Sequence, residues 1–193
     1  MHQIILISGK QGSGKTTLQK ALLKAINETP GFEAIAKNFA DALYEMHDWI
    51  LDFLKRFGIK RDIKKDGPLL QLLGTEWGRK TISENIWVDV LKGRIKTDFL
   101  YCESIQATNK QIVIVGDCRF QNELAAFPEA LKIRLECNAG VRKARCEQWR
   151  DNDMHASEID LDGHLERFDL AFDTNHFSVA GMVAQVMEKL EIK

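Results

Sequence analysis

Gly9-Lys10-Gln11-Gly12-Ser13-Gly14-Lys15-Thr16 follows the apolar run QIILIS at residues 3–8 and precedes a stretch in which Leu18, Leu22 and Ile26 recur at four-residue spacing. The octapeptide meets G-x-x-x-x-G-K-[ST] at every fixed position, in the strand-before, helix-after setting that this phosphate-binding loop requires. Gly12 and Gly14 permit backbone conformations closed to other residues. Successive amide N–H groups can therefore turn inward around a phosphate at the start of a helix. Gly9, Gln11 and Ser13 complete the cradle, Lys15 reaches the outer phosphates of ATP, and the Thr16 hydroxyl joins the shell of a Mg²⁺ ion, with Thr17 as a second contact.

Outward from the loop, hydrophobic periodicity lays down the rest of the chain. A helix is predicted over residues 15–27 and ends before Pro30-Gly31. A weaker strand follows at 33–38, then a long helix with Leu43, Met46, Ile50, Phe53 or Leu54, and Phe57 on its core face, closed by Gly58. Residues 60–67 read as a solvated connection, and Pro68 suits a first helical turn. A further helix is expected from about Ser83 to Gln106 with Ile86, Val90, Leu91 and Ile95 facing inward. QIVIVG at 111–116 is the most strand-like segment; 131–137 and 170–174 are further strands, and 179–190 is the last helix. Strands alternating with helices predict a three-layer α/β domain whose sheet is mainly parallel and whose ligands lie beyond the carboxyl ends of the strands.

The 193 residues suit one domain with a full core. A net charge of -1 offers no global field for a polyanion, so nucleic acid is not expected as a partner. Cys102, Cys118, Cys137 and Cys146 lie far apart and make no CxxC pair, which excludes a sequence-encoded zinc site and points to reduced thiols. No run is long enough for a signal peptide or membrane span, so the expected compartment is the cytoplasm and the expected ligands are small molecules.

Three clusters offer an acceptor site. Asp117 and Arg119 follow the QIVIVG strand: the carboxylate can hold a magnesium-bound water or take a proton, and the guanidinium can fork onto phosphate oxygens. An ordinary turn with a surface ion pair is the alternative. Gln71, Thr75 and Arg79 crowd around Gly74 in LLQLLGTEWGR, with Trp77 and Trp87 as faces for a base or as core. Arg142, Lys143, Arg145 and Arg150 lie on a basic helical stretch that can close over a migrating phosphoryl group or simply be a solvated face. His155 can donate to a phosphate or satisfy a loop.

With these blocks in place, the sequence resembles the deoxynucleoside monophosphate kinases of bacteriophages and their relatives among the P-loop kinases. The resemblance runs along nearly the whole chain, through GKQGSGKT, LLQLLGTEWGR with Trp87, IVGDCRFQNE, H-x-S-E at 155–158, and D-x-x-F-D-T-N before the last helix. It implies a three-layer P-loop kinase fold with a mainly parallel five-stranded sheet, a helical acceptor-binding insertion at about 39–106 and a helical lid at about 138–165. It also implies transfer of the γ-phosphoryl group of ATP to a dNMP, with Mg²⁺ at Thr16 and Asp117. By that matching Gln71, Thr75, Arg79, Trp87, Arg119, Glu123, Arg150, His155 and Glu158 face the acceptor, while Lys15, Asp117, Arg119, Arg142 and Arg145 serve the transfer. A phage-like kinase working in host cytoplasm fits, and a homodimer is left open.

The rival readings are another small-molecule P-loop kinase, acting on a ribonucleotide or a coenzyme precursor, an ATP-hydrolysing switch module, and a nucleotide sensor. The first shares Lys15, Thr16 and Asp117 and differs only in its acceptor. The second calls for a water-positioning residue that the sequence does not display. Against the third stand Lys15, Thr16 and the lid arginines, which serve a transition state better than a ground state.

Overall fold

The computed structural model describes residues 2–59, 65–146, 149 and 156–192. In order, the elements are β1 (Gln3–Gly9), α1 (Lys15–Asn27), β2 (Phe32–Lys37), α2 (Asp41–Arg56), α3 (Gly67–Gln71), a π-helix over Leu72–Ile82, α4 (Ile86–Ser104), β3 (Lys110–Cys118), α5 (Gln121–Ala125), β4 (Leu131–Glu136), α6 (Ala139–Arg145), α7 (Ala156–Ile159), β5 (Leu170–Asp173) and α8 (Val179–Lys189). The chain divides into two compact units, Met1–Asn38 with Thr97–Lys193, and Phe39–Lys96.

The first unit holds a five-stranded sheet in the order β2-β3-β1-β4-β5. Every pairing is parallel, so the sheet is wholly rather than mainly parallel. Its inner strands read as continuous apolar runs because helices flank the sheet: Ile5, Leu6 and Ile7 of β1 and Ile112, Val113, Ile114 and Val115 of β3 are fully buried. The edge strand β2 buries only Ala34. On α1 the four-residue spacing does what the sequence predicts, placing Leu18, Leu22 and Ile26 in one cluster with Ile5, Ile7, Ile112, Ile114, Met182 and Val186. Each such side chain contributes about 1.5–3 kcal/mol of burial.

Two features of this sheet position a site. β1 and β3 are neighbours whose connections leave in opposite directions, β1 toward β2 and β3 across to β4, so their carboxyl ends border the crevice where open α/β sheets take ligands. The β1–β3 register also shifts, Leu6 pairing with Val115 but Ser8 with Cys118, which leaves one extra residue in β3 around Asp117. Such a bulge bends the strand locally. Gln19 of α1 holds the region together, donating to Ile114 O at 3.0 Å and Lys37 O at 3.2 Å. It lies against Gly116, where a Cβ would come within 2.5 Å of its Cδ.

In the second unit α2 differs from its expected face. Leu43, Met46, Ile50 and Leu54 are half-buried, but the buried residue among them is His47, and Phe53 and Phe57 are exposed with Trp49. The buried line runs 43, 47, 50, 54, so the aromatic residues stack along the neighbouring face, and a polar residue in the core line hid the true phase. His47 Nε2 accepts the Asp66 N–H at 3.0 Å, and Asp66 in turn caps α3 by accepting from Leu69 N–H at 3.1 Å. On α4 the residues that face inward are Trp87, Val88, Leu91 and Ile95 rather than Ile86 and Val90. Trp87 is a core residue and not a face for a base: it is buried, and its indole N–H donates to Gly74 O at 2.9 Å within the π-helix.

All four cysteines are free. Among the described residues no helix is long and apolar enough to cross a membrane.

Trp87→Phe keeps most of the buried ring and removes the donor to Gly74. Urea unfolding of the variant is expected to show a loss of about 1–3 kcal/mol. Unchanged stability would contradict the structural role assigned to this residue.

Candidate functional site

In the loop from Gly9 to Thr16 the carbonyls of Gly9, Lys10, Gln11 and Ser13 accept hydrogen bonds from side chains. Lys15 Nζ donates to Gly9 O at 2.6 Å and Lys10 O at 2.8 Å. Arg142 Nη1 donates to Gln11 O at 3.1 Å, and Thr174 Oγ1 donates to Ser13 O at 3.2 Å. Gly12 has φ 76° and lies so close to α6 that a Cβ there would meet Arg142 O at 2.6 Å. Gly14, in the left-handed region, caps α1. The Ser13 N–H donates to Lys10 O at 3.2 Å, and the loop leads directly into the start of α1, the setting in which backbone N–H groups favour an anion. The Ser13 hydroxyl is buried and has no hydrogen-bond partner among the described residues. Thr16 and Thr17 lie exposed at the start of α1.

Lys15 sits in this loop with little water around it, and burial pulls its pKa down from 10.5 to about 7. The Arg119 charge pushes in the same direction, Glu158 and Asp117 push against it, and Arg134 adds a smaller lowering. Those four groups are therefore near enough to be felt at one ammonium. The sequence assigned three of them to the site, and the structure brings them together with the loop lysine.

Other expected site residues take different places. Glu123 is buried, and its Oε2 accepts the backbone N–H groups of Arg119 at 2.8 Å and Phe120 at 3.2 Å. It secures the turn that carries Arg119. Arg142 is buried, braces Gln11 O and Cys137 O, and lies under the Trp149 ring at 5.3 Å. Arg145 donates to Thr174 Oγ1 at 3.2 Å and Thr174 O at 3.0 Å, beside the residue that holds Ser13 O. Both arginines thus engage the loop and its supports. Gln71, Thr75 and Arg79 belong to the second unit, where Gln71 is exposed, Thr75 half-buried, and Arg79 Nη1 donates to Glu84 O at 3.4 Å. Arg150 and His155 lie outside the described residues.

Sequence reasoning missed a buried polar group beneath the loop. Arg134, in the strand LKIRLE, is buried and donates to Ser8 Oγ at 3.2 Å, Glu136 Oε1 at 2.6 Å and Asp162 Oδ1 at 2.9 Å. Asp162 also pairs with Lys10 of the loop at 2.6 Å. The available signal was an arginine between Ile133 and Leu135 in a strand, a place where burial calls for charged or polar partners.

No protein-family model matches the chain, and no curated protein matches its sequence. Among solved structures, the tunicamycin resistance protein of Deinococcus radiodurans is similar at a TM-score of 0.52 and 17% identity, over 100% of this chain and 98% of that one. The shikimate kinase of Acinetobacter baumannii, solved with shikimate, is similar at a TM-score of 0.53 and 11% identity, over 98% of this chain and 93% of that one. At such identities the likeness concerns architecture: the chain has the fold of the P-loop kinases, an all-parallel five-stranded sheet with flanking helices.

Proposed function

We propose that this protein is an ATP-dependent phosphotransferase that moves the γ-phosphoryl group of ATP onto a small phosphate-bearing acceptor, a deoxynucleoside monophosphate. The observation that carries the reading is the convergence of Arg119, from the end of β3, on the buried loop lysine Lys15, with Asp117 and Glu158 as counter-charges. A module that only hydrolyses ATP needs the loop and a positioned water. A second fixed cation at the strand ends suits a second anion. The acceptor class rests on the ordered blocks G-T-E-x-x-R at 74–79 and D-x-R-x-x-x-E at 117–123, and the shared fold with a kinase of a small metabolite supports the wider class.

In this reading the cradle of Gly9–Thr16 binds the β-phosphate, and the Lys15 ammonium leaves the Gly9 and Lys10 carbonyls to span the β- and γ-phosphates. Arg119 holds the acceptor's phosphate in line with the γ-phosphorus. As the bond to the ADP oxygen breaks and the bond to the acceptor oxygen forms, Lys15 and Arg119 stabilise charge spread over the transferring oxygens. Arg142 and Arg145 act by holding the loop and its supports. One hydroxyl and one carboxylate, Thr16 and Asp117, fit Mg²⁺, an ion that keeps much of its shell in water and phosphate. Bound there it would neutralise phosphate charge.

The decisive assay is ADP release from MgATP over all dNMPs and NMPs. Acceptor-dependent release with one or more dNMPs is expected, and release indifferent to every acceptor contradicts the proposal. In that assay Lys15→Ala should lower kcat about 100- to 1000-fold with the fold intact. Retained full activity removes Lys15 from the chemistry. Arg119→Ala should raise the acceptor's KM much more than that of ATP. Equal effects on both would take Arg119 off the acceptor side.

Lys15 also dictates a pH dependence. Phosphates favour its charged form, so binding MgADP raises a pKa that starts near 7. Above that pH and up to the raised pKa of the bound form, binding takes up a proton and affinity falls as pH rises; below it Lys15 is already charged and the uptake vanishes. Calorimetry in two buffers of different ionisation enthalpy should record this uptake at pH 8.5 and lose it in Lys15→Gln, pH 8.5 lying about 1.5 units above the free-protein value. Equal proton uptake in the variant would assign the effect elsewhere.

A further inference from the structure

The stretch Ser157-Glu158-Ile159-Asp160-Leu161-Asp162 carries an acid at every second position, and each acid makes a tie to a different part of the site. Glu158 Oε2 accepts the Gln11 N–H of the phosphate loop at 2.7 Å, while its Oε1 pairs with Arg119 Nη1. Asp160 accepts the Gln121 N–H at 2.7 Å, just beyond Arg119. Asp162 pairs with Lys10 of the loop at 2.6 Å and with Arg134 at 2.9 Å. Leu161, between them, is buried. The segment is therefore stitched on one side to the loop that would hold the donor and on the other to the turn that carries the acceptor arginine.

Glu158 differs from its two companions in burial: its side chain is 2% exposed against 38% for Asp162. A buried carboxylate is tolerated only when charged or polar donors saturate it, and breaking one partner leaves an uncompensated charge. Here both oxygens are taken by protein donors from separate loops. On the other side of the pair, Arg119 uses only Nη1, which also donates to Ser157 O at 3.3 Å. Its Nε and Nη2 make no hydrogen bond among the described residues, and the side chain keeps 29% exposure. One corner of the guanidinium is pinned, and the donors left over, Nε and Nη2, are a pair of the kind that two-point capture of a phosphate uses.

We infer that Glu158 is a positioning residue that fixes the Arg119 guanidinium relative to the phosphate loop, so that the two anions of the reaction are held at a set separation. It acts through Arg119 and Gln11 rather than on a substrate, which replaces the acceptor contact implied by the family resemblance. Misplacing reacting groups by an ångström is costly to a transfer reaction, so a shared carboxylate between the two binding elements is a direct way to set their spacing.

The kinetic arm of the test rests on the phosphotransfer reading; the binding arm does not. Glu158→Gln, Glu158→Asp, Arg119→Ala and the double variant Glu158→Gln/Arg119→Ala are compared after thermal melting shows each to be folded. With the best dNMP of the acceptor panel, Glu158→Gln should raise the acceptor KM on the order of tenfold while leaving the KM for ATP within about twofold. Glu158→Asp should recover part of the loss. In the Arg119→Ala background Glu158→Gln should add almost nothing, because the two act as one unit. Additive losses, an unchanged acceptor KM, or an equal rise in both KM values would overturn the assignment. If the wild type turns over no acceptor, the phosphotransfer reading fails, and the same cycle is read from calorimetric binding of inorganic tripolyphosphate with Mg²⁺. Non-additive losses there uphold the role of Glu158, and additive losses or none from Glu158→Gln end it.

Discussion

A lysine ammonium in a nearly dry loop is the constraint on which the rest of the first unit depends. Lys15 is held by the Gly9 and Lys10 carbonyls, and its burial favours the neutral amine strongly enough to bring the pKa near neutrality. A group so placed gains most from an anion that restores its charge. The loop around it is shaped by outward carbonyl contacts from Arg142 and Thr174, themselves supported by Cys137 O and Arg145. The side chains around the loop thus mainly hold its backbone still.

The sheet explains why the charges meet there. Parallel strands end together, and β1 and β3 deliver the loop and the Asp117–Arg119 turn to the same rim. The bulge in β3 falls at Asp117, and Gln19 ties the strand ends to α1. From the next strand outward, Arg134 reaches back under β1 to Ser8 and forward to Asp162. Arg119 and Arg134 act on Lys15 with one sign and Glu158 and Asp117 with the other, so the charges of the site largely offset one another.

The features that could be read from the sequence were those written in local pattern. GKQGSGKT specified its loop because each fixed residue answers a backbone or charge requirement, and QIVIVG specified an inner strand because both its faces are buried. The helix after the loop followed from the spacing of Leu18, Leu22 and Ile26. What escaped depends on contacts distant in sequence. Nothing in Glu123 alone says that its carboxylate bonds to the backbone of Arg119 and Phe120, and nothing in Trp87 says that its indole N–H meets Gly74 rather than a ligand. The face of α2 was misjudged because His47 takes a core position that a hydrophobicity count leaves empty, whereas Phe53 and Phe57 look like core and lie outside it. Arg134 and Asp162 were missed because an ion pair between residues 28 positions apart leaves no periodicity in the sequence.

The central claim is that a phosphoryl group passes between two anions, not to water. ³¹P NMR of the protein with MgATP and a dNMP tests it most directly, since each phosphorus reports its own chemical fate. The account predicts a dNDP β-phosphorus signal growing in step with ADP and no comparable rise of inorganic phosphate. Inorganic phosphate appearing at the rate of ADP, with the dNMP untouched, would contradict it.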